Sequence, residues 1–245
     1  MKKQTTIMGM PVTVEVVDSG ATAEAIQEVF AYLNYIDQKF STYKKDSEIM
    51  QINREELNPS NYSNEMQKVL ELCEETKKLT GGYFDIHMNG ILDPSGLVKG
   101  YAIWQAAQLL KKKDYKNFFV EVAGDIQAFG KNTAGESWRV GIQNPFNLKE
   151  IVKVLKISDA GIATSGNYQR GKHILNPKTG LPADEIASIS VIGPNIYEAD
   201  RFATAAFAMG EKGIEFIQKL KGFAGYMIKN NQIAVMTNGL ERYLV

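Results

Sequence analysis

Three segments gather charged, histidine or hydroxyl side chains at spacings that can do chemistry. In EADRFATAAFAMG (198–210), Asp200 and Thr204 stand four residues apart, so on a helix they share one face. A carboxylate and a hydroxyl are hard oxygen donors. They suit Mg²⁺ or Ca²⁺ when backbone carbonyls or substrate phosphates complete the shell. A helix-capping Asp200 and a Thr204 bonded back to its own backbone would leave the same pattern. In LDPSGLVKGYA (92–102), Asp93-Pro94 breaks the chain, Ser95-Gly96 allow close approach, and Lys99 falls in the first turn of the next helix. Such a helix start suits an anionic phosphate, although the Walker spacing is missing. In ATSGNYQRGKHILNPKTGLP (163–182), His173 stands in a loop dense in donors. A histidine near its ordinary pKa can take a proton from an attacking hydroxyl, and a histidine tied into a turn reads equally well. His87, in FDIHMNG, reads as structural. Tyr43 in FSTYKKDSEIMQIN (40–53), and Tyr83 and Phe84 in GGYFDIH (81–87), offer rings beside turns. They could stack on a flat heterocycle or belong to the core.

These segments need a scaffold to hold them. Residues 4–18 alternate apolar and polar and read as one strand. DSGATAEA at 18–25 opens an amphipathic helix, with Ser19 or Thr22 as its cap and Ala25, Val29, Leu33 and Ile36 on one face. A second helix spans roughly 64–79 and stops at Gly81-Gly82. Cys73 lies near its apolar stripe and reads as a buried, inert thiol. A third helix starts near Gly96. Residues 118–124, 137–142, 150–158 and 187–193 read as strands, 198–210 and 212–220 as helices, and 224–237 as a closing hairpin turning at Asn230-Asn231. Helices first and strands later favour α+β over a βαβ repeat. No linker or repeat interrupts the sequence, so residues 1–245 read as one domain.

Composition narrows the chemistry. The 245 residues carry 28 Lys+Arg and 28 Asp+Glu, two histidines and one cysteine. Zero formal net charge argues against a nucleic-acid or anionic-membrane binder. One cysteine excludes an internal disulfide and a cysteine-rich zinc site. Two histidines exclude a three-histidine site, so a metal would be held mainly by oxygen. No apolar run reaches the ~18 residues of a membrane span. The N-terminus has no secretory signal, so the sequence reads as cytoplasmic.

In order, the segments resemble the ApbE family, the FAD:protein FMN transferases. The likeness runs through MGMPVTVEV, FSTYKKDSEIMQIN, TGGYFDI, DPSGLVKGYA, VEVAGDIQAFG, WRVGIQNP, IATSGNYQR, HILNPKTGLP and SVIGPNIYEADRFATAAFAMG. It implies an α+β, T-fold-like architecture with helices packed on an antiparallel sheet, bound FAD as substrate and one Mg²⁺. It also implies a reaction: the Ser or Thr hydroxyl of a target protein, in an S/T-G-A-T-like motif, attacks the FMN phosphorus, FMN is joined through a phosphoester, and AMP leaves. By the same resemblance Asp200, Thr204 and the Gly96 carbonyl hold the metal. Met8, Tyr43, Tyr83, Phe84, Asp85, Asp93, Lys99 and Leu175 contact FAD, and His173 is the general base.

Some positions depart from the family pattern. Asn176 stands where aspartate is usual and cannot charge-stabilise a histidinium. Ala203 stands where some members carry a further acid. Met10 replaces a common threonine and Ser95 a common glycine. Two other readings fit the same site, an FAD pyrophosphatase using water and a non-catalytic flavin binder. The chain's own Ser19-Gly20-Ala21-Thr22 resembles the acceptor motif, and a helix cap at Thr22 accounts for the same residues.

Overall fold

The computed structural model describes all residues except Asn89, Gln169, Arg170, Lys172 and His173. Two strands open the chain, β1 (Lys2–Ile7) and β2 (Met10–Val16). The single strand expected over 4–18 is thus a hairpin. Met8 and Gly9 both take positive φ, 57° and 67°, which is the primed two-residue turn that matches strand twist. Helix α1 (Ala23–Phe40) begins at Thr22, whose hydroxyl accepts the Ala25 N–H. After the turn that carries Tyr43 comes a short helix α2 (Glu48–Asn53) capped by Ser47. Helix α3 (Asn64–Leu79) buries Met66, Val69 and Cys73 and ends before Gly81 and Gly82.

A small hairpin, β3 (His87–Met88) and β4 (Ile91–Leu92), leads into helix α4 (Ser95–Lys112). Strand β5 (Phe118–Val122) turns at Ala123-Gly124, both at positive φ, into β6 (Asp125–Phe129). β5 ends two residues short of the strand expected over 118–124, and β6 is a strand the sequence pattern does not announce. A second hairpin, β7 (Trp138–Asn144) and β8 (Asn147–Ile157), is followed by β9 (Ala160–Gly166). β9 is likewise unannounced, because Gly161 and the hydroxyl residues after Ala163 mask a buried strand. Then come β10 (Ile186–Gly193), helices α5 (Ile196–Ala208) and α6 (Gly213–Lys219), and the hairpin β11 (Ala224–Lys229) and β12 (Ala234–Met236).

Eight strands form one antiparallel sheet in the order β1-β2-β5-β6-β9-β10-β11-β12. Its alternation sends Val14, Val120, Ile189 and Val191 into one core with Leu33, Ile103 and Phe207 of the helices. Ile162, Ile192 and Tyr226 enter a second core with Trp138, Leu155 and Ile157 of the β7–β8 hairpin. Helices cover one face of the sheet and the hairpin the other, giving three layers around two cores. No described helix is long and apolar enough to cross a membrane.

Two close approaches fix α5, which carries Asp200 and Thr204. At Gly161 of β9 a Cβ would stand 2.0 Å from the Ile196 nitrogen, so only glycine admits the helix start there. Buried Gln127 of β6 accepts the Ile196 N–H at 2.8 Å and donates to Ala160 O, tying the helix to two strands. Asn195 caps the same end through the Glu198 N–H.

Candidate functional site

The start of α4 crosses α5 at two glycines. Beside Gly96 an added Cβ would stand 3.0 Å from Thr204 Cγ2 and 3.3 Å from Phe84. Beside Gly100 it would meet Asp200 Cβ at 2.6 Å. With hydrogens in those places, backbone reaches side chain directly. The Gly100 N–H donates to Asp200 Oδ2 at 2.7 Å, and the Thr204 hydroxyl donates to Gly96 O at 3.1 Å. Asp200 therefore does not cap its helix, and Thr204 bonds across to α4 rather than back along α5. The oxygens of Asp200, Thr204 and Gly96 lie along one helix crossing, as the four-residue spacing predicts.

Asp125 and Asp200 are nearly inaccessible, and the ammonium of Lys99 serves both. Its Nζ lies 2.6 Å from Asp125 Oδ2 and 3.8 Å from Asp200 Oδ1. The short contact is electrostatic rather than directional, since Asp125 Oδ2 lacks an aligned donor among the described residues. Asp125 Oδ1 accepts the Thr164 N–H at 3.0 Å. Burial drives the Asp200 carboxyl well above its usual range; Lys99 opposes this and Asp125 adds to it. Two buried carboxylates beside one ammonium make a site that gains from a further cation.

The donor set suits Mg²⁺. A carboxylate, a hydroxyl and a carbonyl are hard ligands. Among the described residues no group of three or more His, Cys, Asp or Glu gathers at one point. The remaining ligands would come from water or substrate phosphate.

The crossing forms the floor of a cleft of about 1120 Å³, large enough for a drug-sized or larger ligand. Met8, Tyr43, Tyr83, Phe84, Asp85, Asp93, Gly96, Lys99, Leu175, Asp200 and Thr204 all line it. His173 lies outside the described residues. The eleven differ in what they do there. Lys99 falls in the second turn of α4, not the first, because the helix begins at Ser95. Asp93 accepts the Ser95 N–H at 2.9 Å, so the foremost donor of the helix start is already engaged. Phe84 is 3% exposed and packs against Gly96, whereas Tyr43 is 97% exposed at the mouth. Tyr83 lies under the Lys178 ammonium, 5.6 Å from its ring centre. At Asp85 burial works to raise the pKa, but Lys77 at 2.7 Å and hydrogen bonds from His87 hold it below its usual range. His87 is exposed, bonds Asp85 and is not among the residues lining the cleft.

Sequence reasoning missed several residues of the site. Asp125, buried behind the cleft wall rather than in its lining, follows the Ala123-Gly124 turn. Tyr168 and Arg139 line the cleft. Burial raises the Tyr168 pKa, which the Asp125 charge raises further and Lys99 lowers. Arg201, next to Asp200, points away to Glu198, Glu75, Thr76 and the Tyr197 hydroxyl and fastens α5 to α3. Asn176 accepts the Lys178 N–H at 2.9 Å inside the 176–181 turn, a role an amide fills as well as a carboxylate.

A sequence description of the ApbE family matches residues 8–93 and 87–227. The FAD:protein FMN transferase of Haemophilus influenzae is 28% identical, covering 90% of this chain and 84% of its own length. That of Escherichia coli strain K12 is 26% identical, covering 86% and 78%. Among solved structures, the flavin transferase ApbE from Vibrio cholerae superposes with a TM-score of 0.87 at 21% identity, covering 100% of this chain and 99% of that one. The ApbE protein of Thermotoga maritima gives 0.88 at 20%, with the same coverage. These two share the fold, including the large antiparallel sheet and its helical layer.

Proposed function

This chain belongs to the ApbE family, and from that premise we propose that it is an Mg²⁺-dependent FAD:protein FMN transferase. The observation that carries the reading is the floor of the cleft. Asp200, Thr204, the Gly96 carbonyl and Lys99 converge at one helix crossing beneath walls bearing Met8, Tyr83 and Phe84. A flavin dinucleotide has the matching parts, a polyanionic centre between two flat rings.

Asp200, Thr204 and Gly96 O would hold the metal, which when bound supplies charge neutralisation at the pyrophosphate. Lys99 brings a second positive charge to the same place, oriented by Asp125. Phosphoryl transfer needs little covalent chemistry from the protein, so positioning and charge do most of the work. Met8, Tyr43, Tyr83, Phe84, Asp85, Asp93 and Leu175 shape the flavin and adenine ends. In the transfer itself the oxygen of an acceptor Ser or Thr forms a bond to the FMN phosphorus. The bond from that phosphorus to the AMP phosphate oxygen breaks, and AMP leaves with the electron pair. His173 takes the hydroxyl proton.

The test is FAD with Mg²⁺, with and without an acceptor protein carrying an S/T-G-A-T-like motif. Covalent FMN on the acceptor supports transfer. AMP release that needs no acceptor would replace it with pyrophosphatase activity, and no AMP in either tube would leave a flavin binder. Thr22 is an exposed helix cap with its hydroxyl engaged, which favours a structural role there over self-modification.

A further inference from the structure

We propose that the open edge of β7 is where the acceptor docks, adding to the β7–β8 hairpin as a third, extended strand. This rests on the transferase reading above. Trp138, Arg139, Val140, Gly141, Ile142 and Gln143 are consecutive, and all six line the cleft. Neighbouring strand side chains point to opposite faces, so a sheet face would contribute every second residue. All six contribute when the strand turns its edge to the cavity. Among the described residues β7 pairs as a strand with β8 alone, in a two-stranded sheet. Its cleft-side edge thus offers main-chain groups with no strand partner among the described residues. An extended segment satisfies such groups, and alternate side chains then select the sequence.

The side chains on the outer face of the hairpin, from Arg139 on β7 and from β8 behind it, set what is selected. Arg139 stands opposite Lys156, and Gly141 opposite Val154, on one face of the hairpin. Like charges directly opposed across strands are unfavourable until an anion joins them. Two residues along, the missing Gly141 side chain lets Ile151 lie over β7, its atoms 3.0 Å from the place of a Cβ. Ile151 and Val154 are 49% and 38% exposed there, an apolar notch at the cleft. From Trp138 to Ile157 the hairpin carries Arg139, Lys149, Lys153 and Lys156 against Glu150 alone, in a chain of zero net charge. The occupant is therefore an extended, hydroxyl-bearing protein segment with an acidic side chain facing Arg139 and Lys156 and an apolar one facing the notch.

The test uses the full chain with FAD and Mg²⁺ and a synthetic peptide carrying the S/T-G-A-T motif between acidic residues. A peptide with basic flanks is the control. Hydrogen exchange at the amides of residues 139–143 should slow with the acidic peptide and not with the basic one. Lys156→Glu should raise the peptide KM about tenfold and move the FAD KM by less than about twofold. No slowing at 139–143 overturns the docking edge, whether or not FMN is transferred. Slowing without FMN on the peptide keeps the edge and overturns the transferase reading instead. Equal protection by both peptides, an unmoved peptide KM, or a parallel rise in the FAD KM each overturns the charge selection at Arg139 and Lys156.

Discussion

Replacing Gly100 by alanine probes the helix crossing that positions Asp200. The new methyl would stand 2.6 Å from Asp200 Cβ and 2.8 Å from Ile196 O. Ordinary contact begins near 3.4 Å, so the two helices must separate by about 0.8 Å at this point. Overpacking of this kind costs about 1–3 kcal/mol, while exchanging glycine for alanine inside a helix returns about 1 kcal/mol. The net loss is about 0–2 kcal/mol, a fall in Tm of no more than about 8 °C for a chain of this size. Function should suffer more than stability. The shift lengthens the 2.7 Å bond from the Gly100 N–H that holds Asp200 Oδ2. A misplacement of about 1 Å costs on the order of a hundredfold in rate. The assay pairs a thermal melt with metal-dependent AMP release under saturating FAD. A well-folded Gly100→Ala protein with ordinary turnover would refute the positioning argument.

Other variants test separate links. Asp200→Ala should abolish metal-dependent AMP release; retained activity would take Asp200 out of the metal site. His173→Ala should slow transfer more than it weakens FAD binding, measured by turnover against flavin fluorescence titration, and equal losses would make His173 a binding residue. The raised pKa of Asp200 in the folded chain gives a pH signature without metal. Its contribution to stability is fully present below the unfolded value of 3.8 and lost as pH rises through about 7. In chelator, wild type should therefore lose more Tm than Asp200→Asn between about pH 5 and pH 8, and identical slopes in calorimetry would deny the shift. Cys73 is buried, and desolvation pushes its thiol up to about 12. It should resist thiol reagents until the chain unfolds, and rapid labelling of native protein would contradict that burial.

Much of the architecture was legible because it follows local periodicity. α1, α3 and α5 keep their apolar stripes, and the four-residue spacing of Asp200 and Thr204 survives into the site. What escaped was set by tertiary context. The Met8-Gly9 turn divides a continuous alternating run through two positive φ angles, although methionine rarely adopts them. β6 and β9 are central strands buried on both faces, so their sequences lack the alternation that marks a half-exposed strand. Asp125 was unremarkable in sequence because its partner Lys99 is twenty-six positions away and meets it only through the fold. The turn that the Asn176 side chain closes through the Lys178 N–H is likewise a feature of the folded loop.

On the proposed function, the floor at Asp200 and Lys99 moves an FMN group from FAD to a protein hydroxyl. Incubating the chain with FAD, Mg²⁺ and an acceptor, then measuring acceptor mass and AMP together, tests it most directly. One covalent FMN should appear for each AMP released, and neither product with Asp200→Ala. AMP formed at the same rate with no acceptor present, and no FMN on the acceptor, would contradict it.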